Sequence, residues 1–151
     1  MVSCVYKIEF NKSALELNRE YDRLSDIEKE KVADLRADSY FDYEGDDGYI
    51  CFLITTPFEI SRYLEILSNN NIHHKKINLS NDILYKRYDL ESELLDKVDS
   101  LNSIKWAFFI EDLYYWINNN LDIDIILDRI NEVGIENLTE LEKDFLDNYN
   151  D

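Results

Sequence analysis

The sequence predicts an α+β fold, in which a small antiparallel sheet with its own helices precedes a purely helical segment. Three observations carry that expectation. Period-2 alternation is confined to the first half of the chain, in runs such as Val2, Cys4, Tyr6, Ile8 and Phe10. Helix-start signals fall between those runs. From Asp89 onward only helical periodicity remains.

The elements follow in order. Val2–Phe10 reads as a strand with one face buried. Asn11 or Ser13 caps a helix carrying Ala14, Leu17, Tyr21 and Leu24, and Ser25 with Glu28 forms a capping box that restarts the helix through Val32 and Leu35. Ser39–Tyr43 and Tyr49–Thr55 are aromatic and β-branched runs around Glu44-Gly45-Asp46-Asp47-Gly48, which is a hairpin signature. Thr56-Pro57-Phe58-Glu59 opens a helix with a capping Thr, Pro in the first turn and Glu in the third position. That helix places Ile60, Tyr63, Leu64 and Leu67 on one face and ends at Asn69–Asn71. Ile72–Leu79 then reads as a last strand, with His73 and His74 on its opposite faces. The resulting order, β-α-β-β-α-β, is that of a ferredoxin-like unit with its helices on one face of the sheet. It spans residues 1–88.

Residues 89–151 form the second unit, an acidic segment of about four helices. Leu90, Leu94, Leu95, Val98 and Leu101 suggest one amphipathic helix. Ile104–Ile117, with Trp106, Phe108, Phe109, Tyr114, Tyr115 and Trp116, is apolar nearly all round, which implies central burial or cover by a partner. Ile123, Ile126, Leu127, Ile130 and Val133 line a third helix that Gly134 ends. Thr139 and Glu142 form another capping box and open a final helix with Phe145 and Leu146.

Within this segment, Ile126–Leu146 (ILDRINEVGIENLTELEKDFL) carries an I-L-D-[KR]-I helix, a Gly and then L-T-x-x-E-K-x-F-L. The stretch resembles a short domain of unknown function appended to rhomboid-like membrane proteins of Bacteroidetes. The resemblance covers about 21 of the 151 residues. It implies a bacterial or phage-borne origin and a helical hairpin, and it brings no chemistry, because no rhomboid membrane helices or serine-protease motif accompany it.

Composition narrows function. With 16 Lys+Arg against 33 Asp+Glu the formal charge is −17, and the pI near 4.3 argues against nucleic acid or an anionic membrane as ligand. Neither a signal peptide nor a membrane span is expected, and Cys4 and Cys51 read as buried small hydrophobes of a reduced, cytoplasmic chain. No Walker loop, G-x-S-x-G, H-E-x-x-H or C-x-x-C occurs. An EF-hand loop beginning at Asp42 requires Gly at 47 and Glu at 53, where the chain has Asp47 and Leu53. Neither a catalytic residue, a cofactor nor a metal is therefore expected.

Charge distribution points to a protein partner. Residues 106–151 hold twelve acidic residues against Arg129 and Lys143, a net −10. Asp124, Asp128 and Glu132 recur every four residues, roughly 6 Å apart along one helix face. Such a carboxylate stripe matches a groove built for nucleic acid, and Tyr114, Tyr115 and Trp116 supply aromatic contacts. The leading expectation is a non-enzymatic inhibitor that neutralises a basic nucleic-acid-processing protein, either a phage anti-CRISPR-type inhibitor acting on a CRISPR effector or nuclease, or an immunity protein against a toxin. Two alternatives remain: a self-associating structural or regulatory domain, with Ile104–Ile117 forming a homodimer, and a metal-dependent hydrolase built on Asp42, Asp46 and Asp47 or on Asp122 and Asp124.

Overall fold

The computed structural model describes residues 2–37 and 39–149, which form a mixed α+β fold of four strands and eight α-helices. The strands are β1 (Cys4–Glu9), β2 (Tyr40–Gly45), β3 (Gly48–Thr55) and β4 (Lys75–Asn78). They form one sheet in the order β2-β3-β1-β4, and every neighbouring pair is antiparallel. The helices between them are α1 (Ala14–Tyr21), α2 (Asp26–Ala37) and α3 (Pro57–Asn69). After β4 come α4 (Ser80–Leu84), α5 (Leu90–Leu94), α6 (Ser103–Asn120), α7 (Ile123–Val133) and α8 (Glu140–Asn148).

Alternation along the strands divides the interior in two. Tyr6, Ile8, Tyr40, Tyr49, Cys51 and Leu53 face α1–α3 in one core. Val5, Phe41 and Phe52 face the other way, into a second core filled by α4–α8. The helices from α4 onward therefore pack on the sheet as its second cover, and Phe41 stands edge-on to Trp106 of α6 at 5.1 Å between ring centroids.

The local signals act as their chemistry dictates. Ser25 and Glu28 exchange hydrogen bonds at 3.2 and 3.0 Å, and the Thr56 hydroxyl accepts from the Glu59 N–H at 3.2 Å. The β2–β3 turn is tighter than the expected five residues, because Gly45 pairs directly with Gly48 across a two-residue loop. Gly48 has φ +128°, and a Cβ there would sit 2.2 Å from the Phe10 carbonyl oxygen, so no other residue fits.

Three expectations need correction. The strand expected over Ile72–Leu79 is confined to Lys75–Asn78. Asn71 takes φ +56°, and the Ile72 N–H turns back to the Leu67 carbonyl, so this stretch closes α3. The helix expected from Leu90 to Leu101 stops at Leu94, passes through a 3-10 turn and unwinds. There the Asp99 carboxylate accepts the Leu101 and Asn102 N–H groups, a local bond pattern that competes with helix. The five-residue α4 carries no side-chain cap at Leu79, so the sequence holds no start signal for it. Finally, of the two expectations for α6, central burial does not hold, because the helix is buried on one face only, through Phe109, Leu113, Trp116 and Ile117.

Candidate functional site

Among the described residues, no three His, Cys, Asp or Glu side chains lie together in an arrangement that could hold a metal ion. Two of the four carboxylates of the β2–β3 hairpin, Asp42 and Glu44, are engaged elsewhere. Asp42 accepts the Tyr49 hydroxyl and pairs with Lys105 at 3.1 Å, and Glu44 accepts the Ala14 N–H at the start of α1 at 2.8 Å. Asp122 caps α7, accepting from the Ile125 N–H at 2.9 Å. His73 is exposed, and His74 meets the Ile72 carbonyl through Nδ1. No nucleophile–base pair arises from these groups.

The densest polar cluster lies inside the first core. The Tyr21 and Tyr63 hydroxyls bond at 2.5 Å, Tyr40 bonds Tyr49, and the Arg36 guanidinium lies over the Tyr21 ring at 4.5 Å and the Tyr40 ring at 5.5 Å. Cys51 is fully buried among them, and burial pushes its thiol up to about 12. A thiolate reagent at pH 8 should leave Cys51 unmodified until denaturant is added. Mass mapping of a native reaction checks this, and native labelling at Cys51 would mean the first core opens readily. This cluster is a structural network that holds α1–α3 to the sheet.

The outward surface of the second cover carries the candidate binding residues. On α7, Ile125 and Ile126 point inward and Asp124, Asp128 and Glu132 are exposed. The stripe is not free along its whole length. The Tyr85 hydroxyl donates to Asp128 at 3.3 Å, and Arg87 reaches Glu132 at 3.6 Å while lying 5.2 Å from the Tyr85 ring. Arg87 of the small basic stretch before α5 thus offsets Glu132 within the same chain, while Asp128 meets only a neutral hydroxyl and Asp124, among the described residues, neither.

Of the three aromatics singled out on α6, two reach the surface. Tyr115 is 73% exposed. Tyr114 is half exposed and donates to Glu91, whose carboxylate pushes the phenol up to about 12. Trp116 is only 4% exposed and donates through Nε1 to the Ser3 carbonyl at 3.0 Å, so it is a core residue and not a partner contact. The sequence reading missed Leu101, Ile104 and Phe108, which are 94%, 73% and 65% exposed. Their signal was present. Positions 104, 108, 111 and 115 lie on one side of a helix whose other side already has Phe109, Leu113, Trp116 and Ile117 to bury.

Beside this row, α6 and the start of β2 enclose two depressions. One of about 620 Å³ is flanked by Phe108 and Lys105, and another of about 240 Å³ is flanked by Tyr115 and Asn119. Ser39, Ile54 and Asp112 line both, and the Ser39 hydroxyl donates to Asp112 at 2.7 Å. The result is one seam along α6 with a carboxylate near its middle.

A buried ion pair closes the C-terminal hairpin. Arg129 of α7 donates through Nε to Glu142 of α8 at 3.0 Å, and Glu142 also accepts the Thr139 N–H at 2.9 Å in the capping box. One of the two bases counted in the acidic segment is therefore consumed inside the fold. No protein-family model, curated protein or solved structure matches the chain. No helix among the described residues is long and apolar enough to cross a membrane.

Proposed function

We propose that this chain is a cytoplasmic, non-catalytic acidic protein that binds and neutralises a basic nucleic-acid-processing protein, as an anti-CRISPR-type inhibitor or a toxin immunity protein does. The observation that carries the reading is acidic charge that the fold neutralises only in part. The last 46 residues hold twelve acids and two bases, and the pairing of Arg129 with Glu142 removes one of each, so the net −10 of this segment stands. Opposite potentials raise encounter rates and select basic partners.

The finer fold reading belongs with this proposal. We take residues 1–88 as a ferredoxin-like unit, and the antiparallel order β2-β3-β1-β4 with α1–α3 on one face supports it. Residues 89–151 are its acidic helical subdomain. The likeness of Ile126–Leu146 to the Bacteroidetes rhomboid-associated domain is supported by its helix–Gly–helix form. The Arg and the Glu of the shared pattern are also the two members of the buried pair.

The test is capture of partners from a bacterial lysate across a salt series, followed by a nucleic-acid-binding assay on the captured protein. A basic nuclease or effector that releases at high salt, and that loses its nucleic acid when this protein is added, is the expected result. The triple change Asp124→Lys/Asp128→Lys/Glu132→Lys should weaken that capture at low salt, through lost long-range attraction, and leave the circular dichroism unchanged. Affinity that ignores both salt and the charge reversal would remove the acidic stripe as a binding element.

A further inference from the structure

We infer that the outer face of α6 is a docking site for a basic amphipathic helix of another protein, with its apolar side on Ile104, Phe108 and Tyr115 and its Lys or Arg side chains on Glu111 and Asp112. This rests on the acidic-binder reading and moves its anchor from the α7 stripe to α6.

The row from Ile104 to Tyr115 extends over about three turns, or roughly 17 Å, which is long enough to seat an amphipathic helix whose anchors at i, i+4 and i+7 span roughly 11 Å. Soluble proteins seldom leave large apolar side chains in consecutive turns uncovered. Here Leu101, Ile104, Phe108 and Tyr115 are all at least 65% exposed, while the opposite side of the same helix fills the second core. Local propensity does not require these residues to be apolar. Covering them is the physical reason for having them there.

Charge decides what covers them. Glu111 and Asp112 sit between Phe108 and Tyr115, and Asp112 lines the whole seam along α6. Lys105, the nearby base, is tied across the edge of the sheet to Asp42 at 3.1 Å. A second copy would bring another net charge of −17 against this face, and an acidic membrane would be repelled as well. A basic helix gains both the apolar contact and the carboxylates. The α7 stripe is the weaker anchor, because Tyr85 and Arg87 already occupy Asp128 and Glu132 and no row of apolar side chains accompanies it.

The experiment titrates the full chain with a synthetic helical peptide of four turns, leucines on one face and lysines on the other, and maps amide hydrogen exchange. Protection should fall on Leu101–Asn119. The double change Phe108→Ser/Tyr115→Ser should weaken binding by at least about tenfold, and Asp124→Lys/Asp128→Lys by much less. A peptide with glutamates in place of the lysines should not bind. Protection centred on Asp124–Glu132, with the double change silent, would overturn the α6 assignment and leave the acidic-binder reading standing. Failure of the lysine peptide to bind anywhere would count against both. Light scattering of the free protein supplies the remaining outcome: a dimer dissolved by Phe108→Ser/Tyr115→Ser would put a second copy on this face and overturn the proposal.

Discussion

Replacing Glu142 with alanine is expected to destabilise the protein by about 3–5 kcal/mol, because it strands a buried guanidinium without its carboxylate. The Glu142 side chain is 0% exposed and that of Arg129 is 9%. Total stabilities of single domains run to about 5–15 kcal/mol, so the variant should sit near its threshold at 37 °C. Urea titration measures the loss. The companion Arg129→Met/Glu142→Leu should recover most of it, since well-packed apolar replacements of buried ion pairs are often neutral or better. A Glu142→Ala cost below about 1 kcal/mol would mean the hairpin opens to water around the pair.

The same pair sets a pH dependence. Burial alone would raise the Glu142 carboxyl, but the Arg129 hydrogen bonds and the Thr139 N–H outweigh it and hold the group below its ordinary value. A carboxyl lowered in the folded state stabilises the fold above the unfolded value of about 4.3, and that contribution disappears as pH falls through the folded value. Wild-type stability should therefore drop below about pH 4.5 more steeply than that of the Arg129→Met/Glu142→Leu variant. Parallel curves would remove Glu142 as a source of the acid sensitivity.

Phe41→Ala should have a comparable effect, about 3–5 kcal/mol, through the cavity it leaves between the sheet and α6. Phe41 is fully buried, with Trp106 at 5.1 Å and Phe109 at 6.1 Å between ring centroids. Both tryptophans lie on α6, so their fluorescence reports docking of the helical cover, while far-UV circular dichroism reports the whole chain. The two transitions should coincide in urea, because the strands that carry one core also carry the other. A fluorescence change preceding the loss of ellipticity would show that α4–α8 leave the sheet first. Phe41→Leu, which keeps most of the volume, should cost about 1.5 kcal/mol or less.

Local chemistry explains why parts of this fold were legible in advance. Capping at Ser25, Thr56 and Thr139 depends on residues three apart, and strand alternation depends on neighbours two apart, so both survive in one dimension. The misread segments turned on competing bonds: the Asp99 carboxylate pulls the chain out of helix after Leu94, and Asn71 bends it before β4. The site was harder still. Tyr115 and Trp116 are adjacent in sequence but about 100° apart around a helix, and periodicity alone did not say which faces the sheet. The net charge of residues 106–151 includes Arg129 without saying where it points, although it lies in line with Ile126, Ile130 and Val133, on the apolar side of its helix. A base in that position calls for a buried acid, and Glu142 supplies it.

The double covering of the sheet matters during synthesis. When the first 88 residues have left the ribosome, Val5, Phe41 and Phe52 on the far face have only Leu79, Ile83 and Leu84 of the buried second core to pack against, because the rest of that core comes from later in the chain. At about 5–20 residues per second the remaining sixty or so residues take roughly 3–12 s to emerge. For that interval the nascent chain displays an apolar β-surface with an open strand at each edge, the kind of surface that sticks to its like. A ribosome that stalls, or a message cut short, after the fourth strand would yield a polypeptide prone to aggregate. The acidic helices are thus the late-arriving part that makes the early part safe to release.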